Sequence, residues 1–173
     1  MATPLSQRPA SHPDAPAPGT DLPAHYAGCF ACGSLEGGLR LRFRTGDDLT
    51  LTSTFRVERR HQGAPGLAHG GVLAAVFDEA LGALQVYFRE PAVTANLSVD
   101  YRKPVPVGSV LHIWARVDGR EGRKILMSGA ARLDAPDGPL AAAATALYLV
   151  VDDEHFTRHT ADGSDKPERP VNP

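Results

Sequence analysis

The stretch VLAAVFDEALGALQVYF, residues 72–88, decides how this chain folds. It has no proline and only three polar side chains, Asp78, Glu79 and Gln85, and it is long enough for a buried helix. At about 100° per residue, Leu73, Val76, Leu84 and Tyr87 gather on one side. The opposite side, centred on Asp78, holds Gly71, Ala74, Ala75, Gly82 and Gln85, a face of small residues that another backbone or a ligand can approach. Glu79, one position round, is read as the solvated carboxylate of the two.

Outside this segment the apolar residues alternate with period two, which is strand patterning. Leu39, Leu41 and Phe43 alternate with arginines; Leu49, Leu51, Phe55 and Val57 alternate mostly with threonine and arginine, and Gly46-Asp47-Asp48 forms the turn between them. Val93-Ala95-Leu97-Val99-Tyr101 and Leu111-Ile113-Ala115-Val117 repeat the pattern. Two more strands, at 123–134 and 139–149, flank the turn Ala135-Pro136-Asp137-Gly138. The run Ala141–Ala144 favours helix by propensity, but its place between a turn and Leu147-Tyr148-Leu149 makes it strand. One apolar helix among about six strands implies an α+β fold, a long central helix wrapped by a curved antiparallel sheet.

Composition sets the boundaries. The 173 residues are 42% hydrophobic and 22% charged, enough for one packed domain. Six of the 15 prolines lie in residues 1–23, a Pro/Ala-rich segment read as a flexible arm, and the polar residues 152–173 are read as a flexible tail. The folded unit is then 24–151. With 18 basic and 20 acidic side chains there is no surplus of cations for nucleic acid or an anionic membrane. No stretch has the length of a membrane-spanning helix, the first residues lack the order of a signal peptide, and two cysteines cannot build a disulfide framework. The expected location is the cytoplasm.

The chemistry centres on His69-Gly70-Gly71, just before the helix. Two glycines at a helix start leave backbone N–H groups unobstructed at the positive end of the macrodipole, where a phosphate or the oxyanion of an attacked carbonyl is stabilised. Asp78 adds an ionisable group to an apolar helix, and burial would raise its pKa from about 3.9 toward the range of a general base. Gly70 and Asp78 are eight residues apart, roughly 12 Å along the axis, so one chain cannot readily present both to one carbonyl. A two-fold dimer solves this, with Gly70 and Gly71 of one subunit facing Asp78 of the other. Gly-x-Ser-x-Gly, His-Glu-x-x-His and a P-loop lysine are all absent from the sequence.

The order Cys29-Phe30-Ala31-Cys32-Gly33, Gly38-Leu39, His61-Gln62-Gly63, His69-Gly70-Gly71, Asp78-Glu79 and Asn96-Leu97 through Asp100-Tyr101-Arg102-Lys103-Pro104 resembles the PaaI-like superfamily of hotdog-fold acyl-CoA thioesterases. It is especially similar to the THEM4-like branch. The resemblance covers residues 28–150, and the carboxylate nine residues after His69 is its most specific part. It implies a homodimer or homotetramer that hydrolyses an acyl-CoA thioester, of medium or long acyl chain, in lipid metabolism, with no cofactor beyond the coenzyme A of the substrate. Asp78 then matches the catalytic carboxylate, as nucleophile or as base for water, and Gly70 the amide that binds the thioester carbonyl. Gln62 is the nearest candidate for a polar amide before His-Gly-Gly, His69 braces the loop, and His61 lies behind the site or in the acyl pocket. Arg102 and Lys103 are first candidates for the coenzyme A phosphates. A hotdog enoyl-CoA or acyl-ACP hydratase and a non-catalytic acyl-CoA-binding module are the alternatives.

Cys29-x-x-Cys32 also invites a metal reading, since His25 and His61 would complete a Cys₂His₂ set. With no second cysteine pair, the preferred reading has no metal, and both thiols pack where the chain enters the domain.

Overall fold

The computed structural model describes residues 9–158. Its strands are β1 (Asp21–Leu22), β2 (Phe43–Thr45), β3 (Thr50–Arg56), β4 (Gln62–Ala64), β5 (Leu67–Ala68), β6 (Ala92–Tyr101), β7 (Val110–Glu121), β8 (Lys124–Leu133) and β9 (Leu140–Val150). Helix α1 (Gly70–Gly82) stands between β5 and β6 and runs on as a 3₁₀ turn, Ala83–Tyr87; α2 (Glu154–Arg158) ends the described chain. Seven strands form one antiparallel sheet in the order β1-β2-β3-β7-β8-β9-β6, and β4 with β5 makes a small separate hairpin. The expected helix-on-sheet α+β architecture is present, with seven strands in place of six because Asp21–Leu22 adds one at the β2 edge.

Helix α1 buries Leu73, Val76, Phe77, Ala80 and Leu81, an i, i+3, i+4, i+7, i+8 stripe, and packs it against β6 to β9. The alanines of β9 make sense under that helix. Ala141, Ala142, Ala144 and Ala146 are buried, and Tyr148 follows them into the core. In β8, a Cβ on Gly129 would stand 3.0 Å from the Trp114 carbonyl oxygen and 3.5 Å from Phe77 and Leu81, so small residues in the sheet let the large ones of the helix settle.

Three expectations change. First, the regular helix stops at Gly82, not Phe88; the tighter 3₁₀ turn that follows buries Leu84, Gln85 and Tyr87, and Gln85 Oε1 accepts from Ala92 N at 2.7 Å to lead the chain into β6. Second, Leu39 and Leu41 alternate in burial with Phe43, yet strand pairing starts only at Phe43. Their backbone N–H groups bond to Phe30 and Ala31 carbonyls of the cysteine loop instead. Third, the proline-rich segment is not a free arm over its described part. His12 N donates to the Tyr87 carbonyl, Gly19 N to that of Thr45, and β1 pairs with β2, while Ala15 and Leu22 pack on the core. Prolines cost little entropy to order in an extended strap, so few contacts suffice to hold it. Residues 1–8 and 159–173 of the arm and tail lie outside the described residues. No helix among the described residues is long and apolar enough to cross a membrane.

The helix–sheet contact carries the stability. Phe77→Ala should cost about 3–5 kcal/mol in urea unfolding, against less than about 0.5 kcal/mol for Leu35→Ala at an exposed position. Equal effects would show that the core lies elsewhere.

Candidate active site

His69 is the N-cap of α1, and its Nδ1 accepts from Gly71 N at 2.9 Å. That contact corrects one expectation. The Gly71 amide is satisfied by its own chain, so the helix start offers a ligand Gly70 N–H rather than two glycine amides. Among the described residues, no acceptor stands against the Gly70 N–H. Tyr101 OH donates to the Gly70 carbonyl at 2.8 Å, fixing this turn to the end of β6. From the other side the β4–β5 hairpin supports it: His69 N donates to the His61 carbonyl, and a Cβ on Gly63 would stand 2.7 Å from His69 Cα.

The remaining candidates at this end take supporting places. Gln62 is exposed, and its Oε1 accepts from Gly66 N at 2.9 Å, closing the hairpin loop. His61 is buried against Phe55 with ring centroids 4.9 Å apart, and its Nδ1 accepts from Glu58 N at 3.0 Å. Burial and the Arg60 charge lower its pKa, leaving a neutral ring with Nε2 buried and unpartnered among the described residues. Arg102 and Lys103 are exposed directly after Tyr101, and Arg102 pairs with Asp100 at 3.1 Å.

Asp78 sits about two turns further along α1, and two hydroxyls hold it. Thr94 Oγ1 donates to Asp78 Oδ1 at 2.8 Å; Tyr148 OH donates to the Asp78 carbonyl at 2.7 Å and lies 3.2 Å from Oδ1. Burial, with the Asp78 carboxylate beside it, pushes the Tyr148 phenol well up, so it remains a donor. Oδ2 has no partner among the described residues, and the carboxylate lines a small cavity of about 220 Å³ with Glu79, Gly82, Thr94 and Tyr148. Asp78 is half-buried, not enclosed as the sequence suggests. A larger groove, about 930 Å³, lies elsewhere on the sheet around Thr52, His112 and Trp114 and includes none of these groups.

Sequence reasoning missed Thr94 and Tyr148, and a β-bulge explains why. Thr94 pairs with Tyr148 across β6 and β9, but Asn96 pairs with Leu147, so Ala95 is an extra residue. The insertion changes the phase of the strand. Thr94, before the bulge, shares the helix side with Leu97, Val99 and Tyr101 after it, whereas simple alternation from Val93 points Thr94 the other way. A lone tyrosine closing an alanine-rich strand was the available signal for Tyr148.

Glu79 is a second correction. Its side chain is 13% exposed, and His25 Nδ1 lies 3.2 Å from Oε1 and Cys29 Sγ 3.6 Å from Oε2. Burial works to raise its pKa, but hydrogen bonds from His25 and Cys32 outweigh that and leave it lowered. The hydrogen bond to Glu79 raises His25 in turn. Hydrogen bonding from Cys32 lowers Cys29 to about 6, while Cys32, as the donor, is pushed up. His61 takes no part, so the fourth member beside His25 and the two thiols is the carboxylate.

The chain thus holds two half-sites on one helix: an open amide with its supports at the start, and a hydroxyl-braced carboxylate two turns on. Known proteins resemble this chain in fold and in sequence. The Escherichia coli PaaI protein of the phenylacetic acid degradation operon superposes with a TM-score of 0.60 over 66% of this chain and 81% of that one, at 17% identity, which fixes the hotdog fold. The Xenopus laevis acyl-coenzyme A thioesterase THEM4 is 42% identical over 88 residues, 51% of this chain; the chain spans only 39% of the length of that relative. A Pseudomonas aeruginosa protein named "Putative esterase PA0474" is 31% identical over 102 residues, 57% of this chain and 75% of its own. The thioesterase superfamily model matches residues 65–134, from the hairpin that braces His69 to the end of β8. On that match, and on the coverage of the Pseudomonas relative, this chain belongs to the thioesterase superfamily.

Proposed function

We propose that this chain hydrolyses acyl-CoA thioesters to a free acid and coenzyme A, with a medium- or long-chain acyl group as substrate, in the cytoplasm. The observation that carries the reading is the carboxylate of Asp78, oriented by Thr94 and Tyr148 with Oδ2 free beside a cavity. A thioester suits such equipment, because its carbonyl is reactive and its thiolate leaves readily; neither an activated serine nor a metal hydroxide is needed. As general base, Asp78 takes a proton from water while the water oxygen bonds to the acyl carbon. The carbon–sulfur bond then breaks, and the thiolate takes up the proton. As nucleophile, Asp78 Oδ2 bonds to the acyl carbon as the carbon–sulfur bond breaks and the thiolate leaves; water then hydrolyses the mixed anhydride to the free acid, the Asp78 carboxylate is restored and the thiolate takes up the proton. In either case the Gly70 N–H stabilises the developing oxyanion.

The site is completed by a second copy of the chain. Among the described residues strand β6 lies at the sheet edge, paired to β9 on one side only, and its ten residues include one charge, Asp100. Such an edge invites another strand. A two-fold axis near its middle brings the Thr94 end of one β6 beside the Tyr101 end of the other. Asp78 of one subunit then approaches Gly70 of the partner subunit, which eight helical residues within one chain prevent. Arg102 and Lys103, next to Tyr101, fall at the mouth of that shared site for the coenzyme A phosphates.

Thiol release from a panel of acyl-CoA chain lengths should be lowered about 10²–10⁴-fold in kcat by Asp78→Asn; full retention removes Asp78 from the chemistry. Thr94→Val, which deletes a hydrogen bond to a charged group, should lower kcat about 10- to 100-fold with KM little changed; an effect on KM alone would move Thr94 to substrate binding. Gly70→Pro tests the other half-site, because proline is accommodated at the first helical position and removes the N–H, while its Cβ would meet the Tyr101 ring at an ordinary contact distance of 3.4 Å. It should lower kcat about 10²-fold without loss of melting temperature. Unfolding and refolding it together with Asp78→Asn should restore activity, to about a quarter of the native level at equal mixing. No recovery would mean that each chain carries its own complete site.

A further inference from the structure

The geometry points to a structural zinc site formed by His25, Cys29, Cys32 and Glu79, which ties the entry of the chain to the helix that carries Asp78. These four offer one ligand atom each within 4.8 Å of one another. Two thiols, an imidazole and a carboxylate are the ligands zinc takes, whereas magnesium and calcium reject sulfur and copper(I) has little use for a carboxylate.

The spacing lies close to that of one coordination shell, within the reach of small side-chain rotations. Bonds of about 2.3 Å to sulfur and about 2.0 Å to nitrogen or oxygen, arranged tetrahedrally, put ligand atoms about 3.3–3.8 Å apart. His25 Nδ1 lies 3.2 Å from Glu79 Oε1 and 3.0 Å from Cys32 Sγ, and Cys29 Sγ lies 3.6 Å from Glu79 Oε2. Nδ1 therefore faces two neighbours at once. One ring nitrogen has a single proton or a single lone pair, so hydrogen bonding serves both poorly, while a ligand at the corner of a tetrahedron faces its neighbours in just this way.

The surroundings suit a charged sulfur site. Ala31 N and Cys32 N both point at Cys29 Sγ, at 3.3 and 3.5 Å, as amide donors do toward a metal thiolate. Cys32 is buried, and Arg42 Nη1 donates to its carbonyl at 2.5 Å. Zinc takes both cysteines as thiolates, so two thiolates and a carboxylate around a dication leave one net negative charge, beside which Arg42 stands. Gly33 closes the turn, and a Cβ there would fall 2.3 Å from the Ala27 carbonyl oxygen.

Four protein ligands leave no open position, which makes the site structural rather than hydrolytic. Three of them lie in the loop 25–32, where regular structure is lacking; the fourth is on α1, adjacent to Asp78. The metal clamps that loop over the helix turn bearing the carboxylate. This inference does not depend on thioester hydrolysis and is read without it.

The experiment is elemental analysis of the full chain purified without chelator, followed by cobalt(II) substitution. One zinc per chain is expected, with cobalt giving thiolate charge-transfer bands and the intense visible bands of a tetrahedral centre. Chelation should lower the melting temperature by roughly 5–10 °C, restored by added zinc. Cys32→Ser should abolish the charge-transfer signature of two thiolates, and Glu79→Gln, which keeps the side-chain shape, should weaken zinc at least about 10-fold in competition with a chromogenic chelator. A folded native chain with two titratable thiols, no retained zinc and no cobalt bands overturns the proposal. So does a Cys29–Cys32 disulfide detected by mass in that chain. Because the native protein gives these readings directly, a variant that fails to fold does not decide the matter.

Discussion

Everything in this molecule depends on how closely one helix approaches its sheet. Helix α1 presents Phe77 and Leu81 to a β-sheet that recedes to glycine and alanine beneath them, and only at that distance can Tyr148 and Thr94 reach across to Asp78. The two requirements reinforce each other. Burying the apolar stripe drives the helix down, and the hydroxyl contacts fix its axial position once it is there. A carboxylate on such a helix would otherwise be a cost of folding; here its hydrogen bonds turn it into a fixed reference point.

The same helix separates two kinds of work. At its start, the backbone is the exposed feature: the His69 side chain satisfies one amide, Tyr101 and the β4–β5 hairpin hold the turn, and the neighbouring amide stays open. Further along, side chains take over, with two hydroxyls fixing one oxygen of the carboxylate and the other left beside a cavity.

Most of the architecture was legible because it rests on patterns with a fixed period. The apolar run at 72–88, the alternations on either side and the turn residues at 46–48 and 135–138 each lead to the observed elements, and His69-Gly70-Gly71 falls at the helix start as read. What was hidden depends on exceptions to a period or on contacts distant in sequence. The bulge at Ala95 reverses the phase of β6 and conceals Thr94. Glu79 looked solvated because its helix neighbours gave no hint that a loop some 50 residues earlier would cover it. The proline-rich segment looked free because its composition lacks apolar mass, although a strap needs only a few backbone bonds and a place to lie.

The extra residue in β6 also bears on how this chain can change over generations. Because Ala95 has no partner in β9, losing it would leave Thr94 opposite Tyr148 and Asn96 opposite Leu147 in an unbroken ladder, with the threonine still on the side of the acid. Length at this one position is therefore free to vary, while the paired residues on either side of it keep the two oxygen-bearing groups together.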